Sequence, residues 1–342
     1  MLYFRADMNQ EIATGHIMRC LSIAEAARQF GEDSTFISAD ACAEELVHSK
    51  GFQYHCLHSK WNNLESELAS LVSYIQEYDV KILFIDHYWV TETYFTQLRR
   101  YCKLVYMDDL NQFDYDVDYL ICYAVYATNY YYTNSKFKRN LLLGTQFTPL
   151  RREFRHCPPK EIHQQIDRLL IMSGGADEFN AIGKILEALN VMDYQNIVAV
   201  CGNLNPNYQS LKEQYCNFDN IEIIRATNDI QSLMQVADVA VSAAGSTLYE
   251  LCSVGTPTVS YSFADNQLSN AHSFHEKEII FYIGDLRFDN IQDALCRVLN
   301  EKLSCQNLRQ TISKKMQLLV DGNGAYRLIE TILQKEGLII YE

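Results

Sequence analysis

A lone histidine, His16, follows Gly15 in the stretch RADMNQEIATGHIMRCLSIA (residues 5–24). An imidazole titrates near neutral pH and can take a proton from water, so a histidine at a ligand-facing turn is a candidate general base. Two small-residue turns lie further along, SGGAD (173–177) and SAAGSTLYE (242–250). Such turns let a backbone approach a phosphate, and the helix start that follows supplies free N–H donors. Gly174, Gly175, Asp177, Ser246 and Thr247 are therefore candidate nucleotide contacts, and Glu250, about one turn further, can accept hydrogen bonds from ribose hydroxyls. Asn266 and Gln267 in DNQLSN (265–270) offer amides to sugar hydroxyls. Acidic residues fall at predicted strand ends: Asp7, DHY (86–88) and Asp108–Asp109. Carboxylates there can orient a histidine or bind sugar hydroxyls. His87 and Tyr88 share such an end and can assist His16. Each feature also has a plain structural use as a tight connection, an N-cap or a solvated face. Neither Asp108–Asp109 nor HCLH (55–58) has a second ligand pair at metal spacing, so no metal is expected.

The elements that must position these residues alternate along the chain. Residues 2–6 read as a buried strand; Ile17, Leu21, Ala24 and Ala27 then recur at helical spacing, with Gly31 as the stop signal. Strands follow at STFISAD (34–40), QYHCL (53–57), KILFID (81–86), KLVYMDD (103–109), YLICYAV (119–125) and NLLLG (140–144), with helices between them, including a long one over 63–78. Near-continuous apolar runs of this kind are those of a parallel sheet covered on both faces. The segment TPLRREFRHCPPK (148–160), with three of the five prolines, reads as a boundary. The pattern then restarts at RLLIMSGG (168–175) and continues through NIVAVCG (196–202), IEIIRAT (221–227), ADVAVSAAG (237–245), TPTVSYSF (256–263) and EIIFYIG (278–284). The expected architecture is α/β, with two Rossmann-like doubly wound domains facing a cleft. These are 1–150, carrying His16, and 151–320, binding the nucleotide. A C-terminal helix in 321–342 is expected to cross back to the first domain.

Composition narrows the class. A chain of 342 residues with 48% hydrophobic residues and five prolines is long enough for two cores. Its net charge of −14 argues against a general nucleic-acid or anionic-membrane binder, although Arg5 and Arg19 can make a pocket locally positive. Eleven cysteines form no CxxC pair and fit a reducing, cytoplasmic setting. No apolar run reaches membrane-spanning length, and Arg5 and Asp7 come too early for a signal peptide.

The ordered motifs RADMNQEIATGHIMRCLSIA, IDHYWV, MDDL, LRREF, SGGAD with Asn180, SAAGSTLYE and DNQ resemble the UDP-2,4-diacetamido-2,4,6-trideoxy-β-L-altropyranose hydrolases of bacterial pseudaminic acid biosynthesis, over about residues 1–330. These are relatives of the GT-B glycosyltransferases. The resemblance implies metal-independent, inverting hydrolysis of a UDP-activated amino sugar at the anomeric carbon, with no cofactor and no membrane insertion. It makes His16 the catalytic base, with Asp7 and Tyr88 beside it. UDP would be held by Gly174, Gly175, Asp177, Ser246, Thr247 and Glu250, and the sugar by Gly15, Arg19, Asn266 and Gln267. The chain departs from the family at Ala13, where a glycine is usual, and at Cys122 and Ala124, where asparagines are common. A transferase that passes the sugar to a surface-polysaccharide acceptor is the alternative.

Overall fold

The computed structural model describes every residue except Gln10, Ala13, 128–131, Thr133, Asn228 and 340–342, so the Ala13 departure lies outside the described residues. Among the described residues the chain forms two compact units, Met1–Arg152 with Asn323–Glu342, and Glu153–Gly322.

The first unit carries a seven-stranded sheet of β1 (Leu2–Ala6), β2 (Ser34–Ser38), β3 (Gln53–Cys56), β4 (Ile82–Asp86), β5 (Lys103–Met107), β6 (Tyr119–Cys122) and β7 (Asn140–Leu143). Its order is β3-β2-β1-β4-β5-β6-β7, and every pairing is parallel. Strand order therefore reverses between β1 and β4, the position where open α/β sheets leave a ligand crevice beyond the strands' carboxyl ends. Phe4 stacks on Phe36 at 5.1 Å and on Phe84 at 4.7 Å, fixing the three central strands to one another. The helices are α1 (Gly15–Arg28), α2 (Glu44–Ser49), α3 (Leu68–Glu77) and α4 (Glu92–Leu98).

The second unit repeats the plan with β8 (Arg168–Met172), β9 (Asn196–Cys201), β10 (Ile221–Arg225), β11 (Val239–Ala243), β12 (Thr258–Ser262) and β13 (Phe281–Asp285), ordered β10-β9-β8-β11-β12-β13 and again parallel. Its helices are α5 (Ala181–Ala188), α6 (Tyr208–Gln214), α7 (Ile230–Val236), α8 (Thr247–Val254), α9 (Asp265–Glu276), α10 (Gln292–Arg297) and α11 (Gln306–Leu319). The chain then supplies α12 (Gly324–Lys335) to the first unit. There Ala325, Leu328, Ile329, Ile332 and Leu333 are buried in the same apolar core as the α1 residues Ile17, Leu21 and Ala24.

Three elements are placed more finely than the spacing alone predicts. Helix α1 begins at Gly15, two residues before the first of the helically spaced positions, so His16 lies inside its first turn. The long helix over 63–78 opens as a 3-10 turn, Leu64–Glu67, because Glu67 turns inward to Arg5. DNQLSN is helical, forming the start of α9.

Candidate active site

The structure builds a charged cluster at the β1–β4 reversal. β4 ends at Asp86, which is fully buried and paired in register with Ala6. One carboxylate oxygen, Oδ1, lies 2.6 Å from His16 Nδ1. With Asp86 ionised, Nδ1 carries the proton and donates it, which leaves the lone pair on Nε2. Arg19, one turn further along α1, ion-pairs with the same carboxylate and donates to Asp109 at 2.8 Å and to the Tyr123 hydroxyl at 2.9 Å. Burial alone pushes the Asp86 carboxyl up, but Arg19 and His16 outweigh it and hold it well below the usual carboxylate range. The Tyr88 ring meets the His16 ring edge-on, centroids 4.6 Å apart, and its hydroxyl donates to Asp109 at 3.2 Å. Burial pushes the Tyr88 phenol up, so it stays a neutral donor. His16 is thus held by a carboxylate below and a ring alongside.

Asp7 is placed otherwise than expected. It is buried, forms an ion pair with Arg5 at 2.7 Å, lies 3.2 Å from His87 Nε2 and accepts from the Ala39 N–H at 2.7 Å. Its partner histidine is His87, and Asp86 takes the role beside His16. Burial lowers the His87 pKa, keeping that ring neutral. Arg5 is also fully buried and neutralised, with Glu67 gripping it at 2.6 and 2.7 Å. Neither Arg5 nor Arg19 therefore makes the pocket positive. Arg19 is committed to two carboxylates, a positioning task rather than a free sugar contact. Asp108 accepts from the hydroxyls of Tyr115 and Tyr132 and serves the fold. The residues at the two departures, Cys122 and Ala124, are both buried.

In the second unit the two small-residue turns follow β8 and β11, the strands flanking its own order reversal. Gly174 has φ +81°, a conformation that disfavours a side chain. A Cβ at Gly15, Gly174, Gly175 or Gly245 would meet no atom within 4 Å, so these backbones border open space. Gly202 is the reverse case: its Cβ would lie 2.2 Å from the Gly175 carbonyl oxygen, so β9 packs directly under the turn. Ser246 sits at the N-cap position of α8, exposed, and its side chain makes no cap bond. Thr247 and Glu250 are half-buried on the first turn of α8. Asp177 turns away from open space and is buried. Its buried carboxylate accepts from Ala181 N–H at 2.6 Å, from Ile182 N–H at 3.3 Å and from Asn205 at 3.2 Å. It caps α5 from the preceding loop and occupies the donors a phosphate would need. Gln267 accepts from the Phe263 N–H at 3.0 Å and so braces the turn into α9, whereas Asn266 is exposed.

Among the described residues no group of three or more His, Cys, Asp or Glu side chains is arranged to hold a metal ion. Among the same residues no helix is long and apolar enough to cross a membrane.

Comparison with known proteins agrees with this architecture. Residues 168–322 match the glycosyltransferase family 28 C-terminal domain. An uncharacterized protein of Methanocaldococcus jannaschii is 24% identical over 95% of this chain and 64% of its own length. The UDP-N-acetylglucosamine–N-acetylmuramyl-(pentapeptide) pyrophosphoryl-undecaprenol N-acetylglucosamine transferase of Helicobacter pylori is 33% identical over 49% of this chain and 51% of its own. The chain thus spans between about half and two thirds of the length of these curated relatives. The crystal structure of MurG from Acinetobacter baumannii superposes with a TM-score of 0.68 at 13% identity, covering 97% of this chain and 99% of that one. The fold is therefore that of the GT-B glycosyltransferases, built of two Rossmann-like parallel-sheet units.

Proposed function

We propose that this chain hydrolyses a UDP-activated amino sugar at the anomeric carbon, releasing UDP and the free sugar for nonulosonic acid biosynthesis of the pseudaminic type. The observation that carries the proposal is the Asp86–His16 pair at the strand-order reversal of the first unit. Binding alone does not call for an imidazole whose tautomer is fixed by a buried carboxylate. General-base chemistry does.

In this reading Nε2 of His16 takes a proton from water as the water oxygen bonds to the anomeric carbon. The C–O bond to UDP breaks, its electron pair leaves on the diphosphate, and the carbon inverts. Asp86 stabilises the imidazolium that forms. The Gly174–Gly175 turn and the Ser246–Thr247 helix start receive the diphosphate, and Glu250 receives the ribose. The UDP-sugar in the name of the Helicobacter pylori relative supports the nucleotide class. That name and the family 28 match also favour a second reading, transfer of the sugar to an acceptor hydroxyl with the same histidine as base.

The test is UDP release from a panel of UDP-amino sugars in chelator, without and then with acceptors, for the native protein and His16→Ala. Release into water that is lost in His16→Ala, with UDP affinity retained, is expected. Comparable turnover in His16→Ala would sink the mechanism.

A further inference from the structure

The chain contains only two tryptophans, and the fold brings them together. Trp61 lies in the loop after β3 and Trp89 in the loop after β4, yet their rings meet edge to face, with centroids 5.0 Å apart and planes at 86°. Trp89 is 43% exposed, unusual for so large an apolar ring, and Trp61 is half-buried. The pair borders the candidate active site. Trp89 lies 5.7 Å from the His87 ring and 6.5 Å from the Tyr88 ring, and Tyr88 touches His16.

Both loops are held rigidly from beneath. The buried Glu67 carboxylate, just beyond the Trp61 loop, accepts from Arg5, from the Tyr94 hydroxyl at 2.8 Å and from the Ser59 hydroxyl at 2.9 Å. It therefore ties that loop to β1 and to α4. Thr91 donates to Glu65 at 2.8 Å, joining the segment that follows Trp89 to the one that follows Trp61. The Trp89 N–H donates to His87 Nδ1 at 3.1 Å, fixing the turn at the strand end. The surroundings are polar, since Lys60, Asn62 and Asn63 are all exposed. A pre-ordered, partly exposed indole flanked in sequence by exposed polar residues suits one ligand class well. A pyranose presents C–H groups on one face and hydroxyls around its edge. The C–H face packs on the electron-rich indole face, while the edge stays open to hydrogen bonds.

We infer that the Trp61–Trp89 pair is a stacking platform for a pyranose ring, holding the carbohydrate end of the substrate beside His16. The inference rests on the nucleotide-sugar reading for its location in the reaction, but the platform itself is testable without nucleotide. Because the chain has no other tryptophan, its indole emission reports on this pair alone.

The experiment titrates the native protein, whose only two indoles are this pair, with N-acetylglucosamine, N-acetylgalactosamine and fucose, against sorbitol as a non-cyclic control. A saturable change in emission with at least one pyranose and none with sorbitol is expected. Absence of a saturable response to all three overturns the platform. In parallel, Trp89→Ala is expected to raise KM for the UDP-sugar that the native protein turns over by about tenfold, the scale of one lost aromatic contact, with UDP affinity unchanged. Turnover with an unaltered KM in Trp89→Ala overturns the platform and leaves the hydrolase reading standing. A pyranose response in a protein that releases no UDP from any donor does the reverse.

Discussion

Replacing Asp86 by asparagine removes one negative charge and almost no volume from the position that defines the candidate active site. The native carboxylate is fully buried and lies 2.6 Å from His16 Nδ1. A hydrogen bond to a charged group in such a setting contributes about 1.5–3 kcal/mol. This interaction strengthens as the imidazolium develops, so its loss falls on the transition state and lowers kcat by about 10- to 150-fold. A second effect adds to the first. An asparagine can present its amide N–H to Nδ1, which favours the tautomer with the proton on Nε2, where it blocks acceptance from water. Tautomer inversion of this kind has been worth about 10⁴ in the Ser-His-Asp template. The expected fall in kcat therefore lies between about 10² and 10⁴. The variant should still fold, because Arg19 keeps Asp109 at 2.8 Å and Tyr123 at 2.9 Å. Continuous UDP release gives kcat, calorimetric UDP titration checks the nucleotide site, and thermal unfolding checks the fold. A folded Asp86→Asn protein with kcat within about threefold of native would refute the assignment of Asp86 to His16.

Two further outcomes follow from other parts of the molecule. Asp7 and Asp86 are both held below their unfolded pKa, which is about 3.9, so each adds stability that is complete above about pH 5 and drains away as pH falls toward the folded value. Urea midpoints should therefore drop steeply in acid for the native chain and less steeply for Asp7→Asn, which starts lower at neutral pH; parallel curves would contradict this. Gly202→Ala places a methyl 2.2 and 2.3 Å from the carbonyl oxygens of Gly175 and Gly174, so the turn must shift, at a cost of about 1–3 kcal/mol. Calorimetry should show weakened UDP binding in that variant, and native affinity together with native stability would remove the turn from the nucleotide site.

The sheets were legible because parallel strands covered on both faces are written as unbroken apolar runs. KILFID and ADVAVSAA leave little choice of element, and their order along the chain implies the doubly wound plan. Element ends were less legible, since they depend on contacts from elsewhere. The inward turn of Glu67, which opens the third helix as a 3-10 turn, answers to Arg5, 62 residues away. The same problem governs the site. Asp7 and Asp86 both stand at strand ends, and nothing local says which one faces His16. The β1–β4 register decides it by setting Asp86 opposite Ala6, while Asp7, one residue beyond β1, turns to Ala39 and His87. Asp177 misled for a related reason. A carboxylate next to a glycine turn can face a ligand or the helix behind it, and here the open N–H groups of α5 claim it. The placement of His16 in the first turn of α1 and of Gly174 and Gly175 in an open turn was readable, because glycine turns and a histidine at a strand-to-helix join carry their geometry with them.

The most direct test of the account is a single turnover of a UDP-amino sugar in ¹⁸O-water, without acceptor and in chelator, with products read by mass before ring opening exchanges the anomeric oxygen. Attack of water on the anomeric carbon predicts label in the free sugar and none in UDP. Label in UDP would place the attack on phosphorus, and the absence of any release until an acceptor is added would make His16 the base of a transferase.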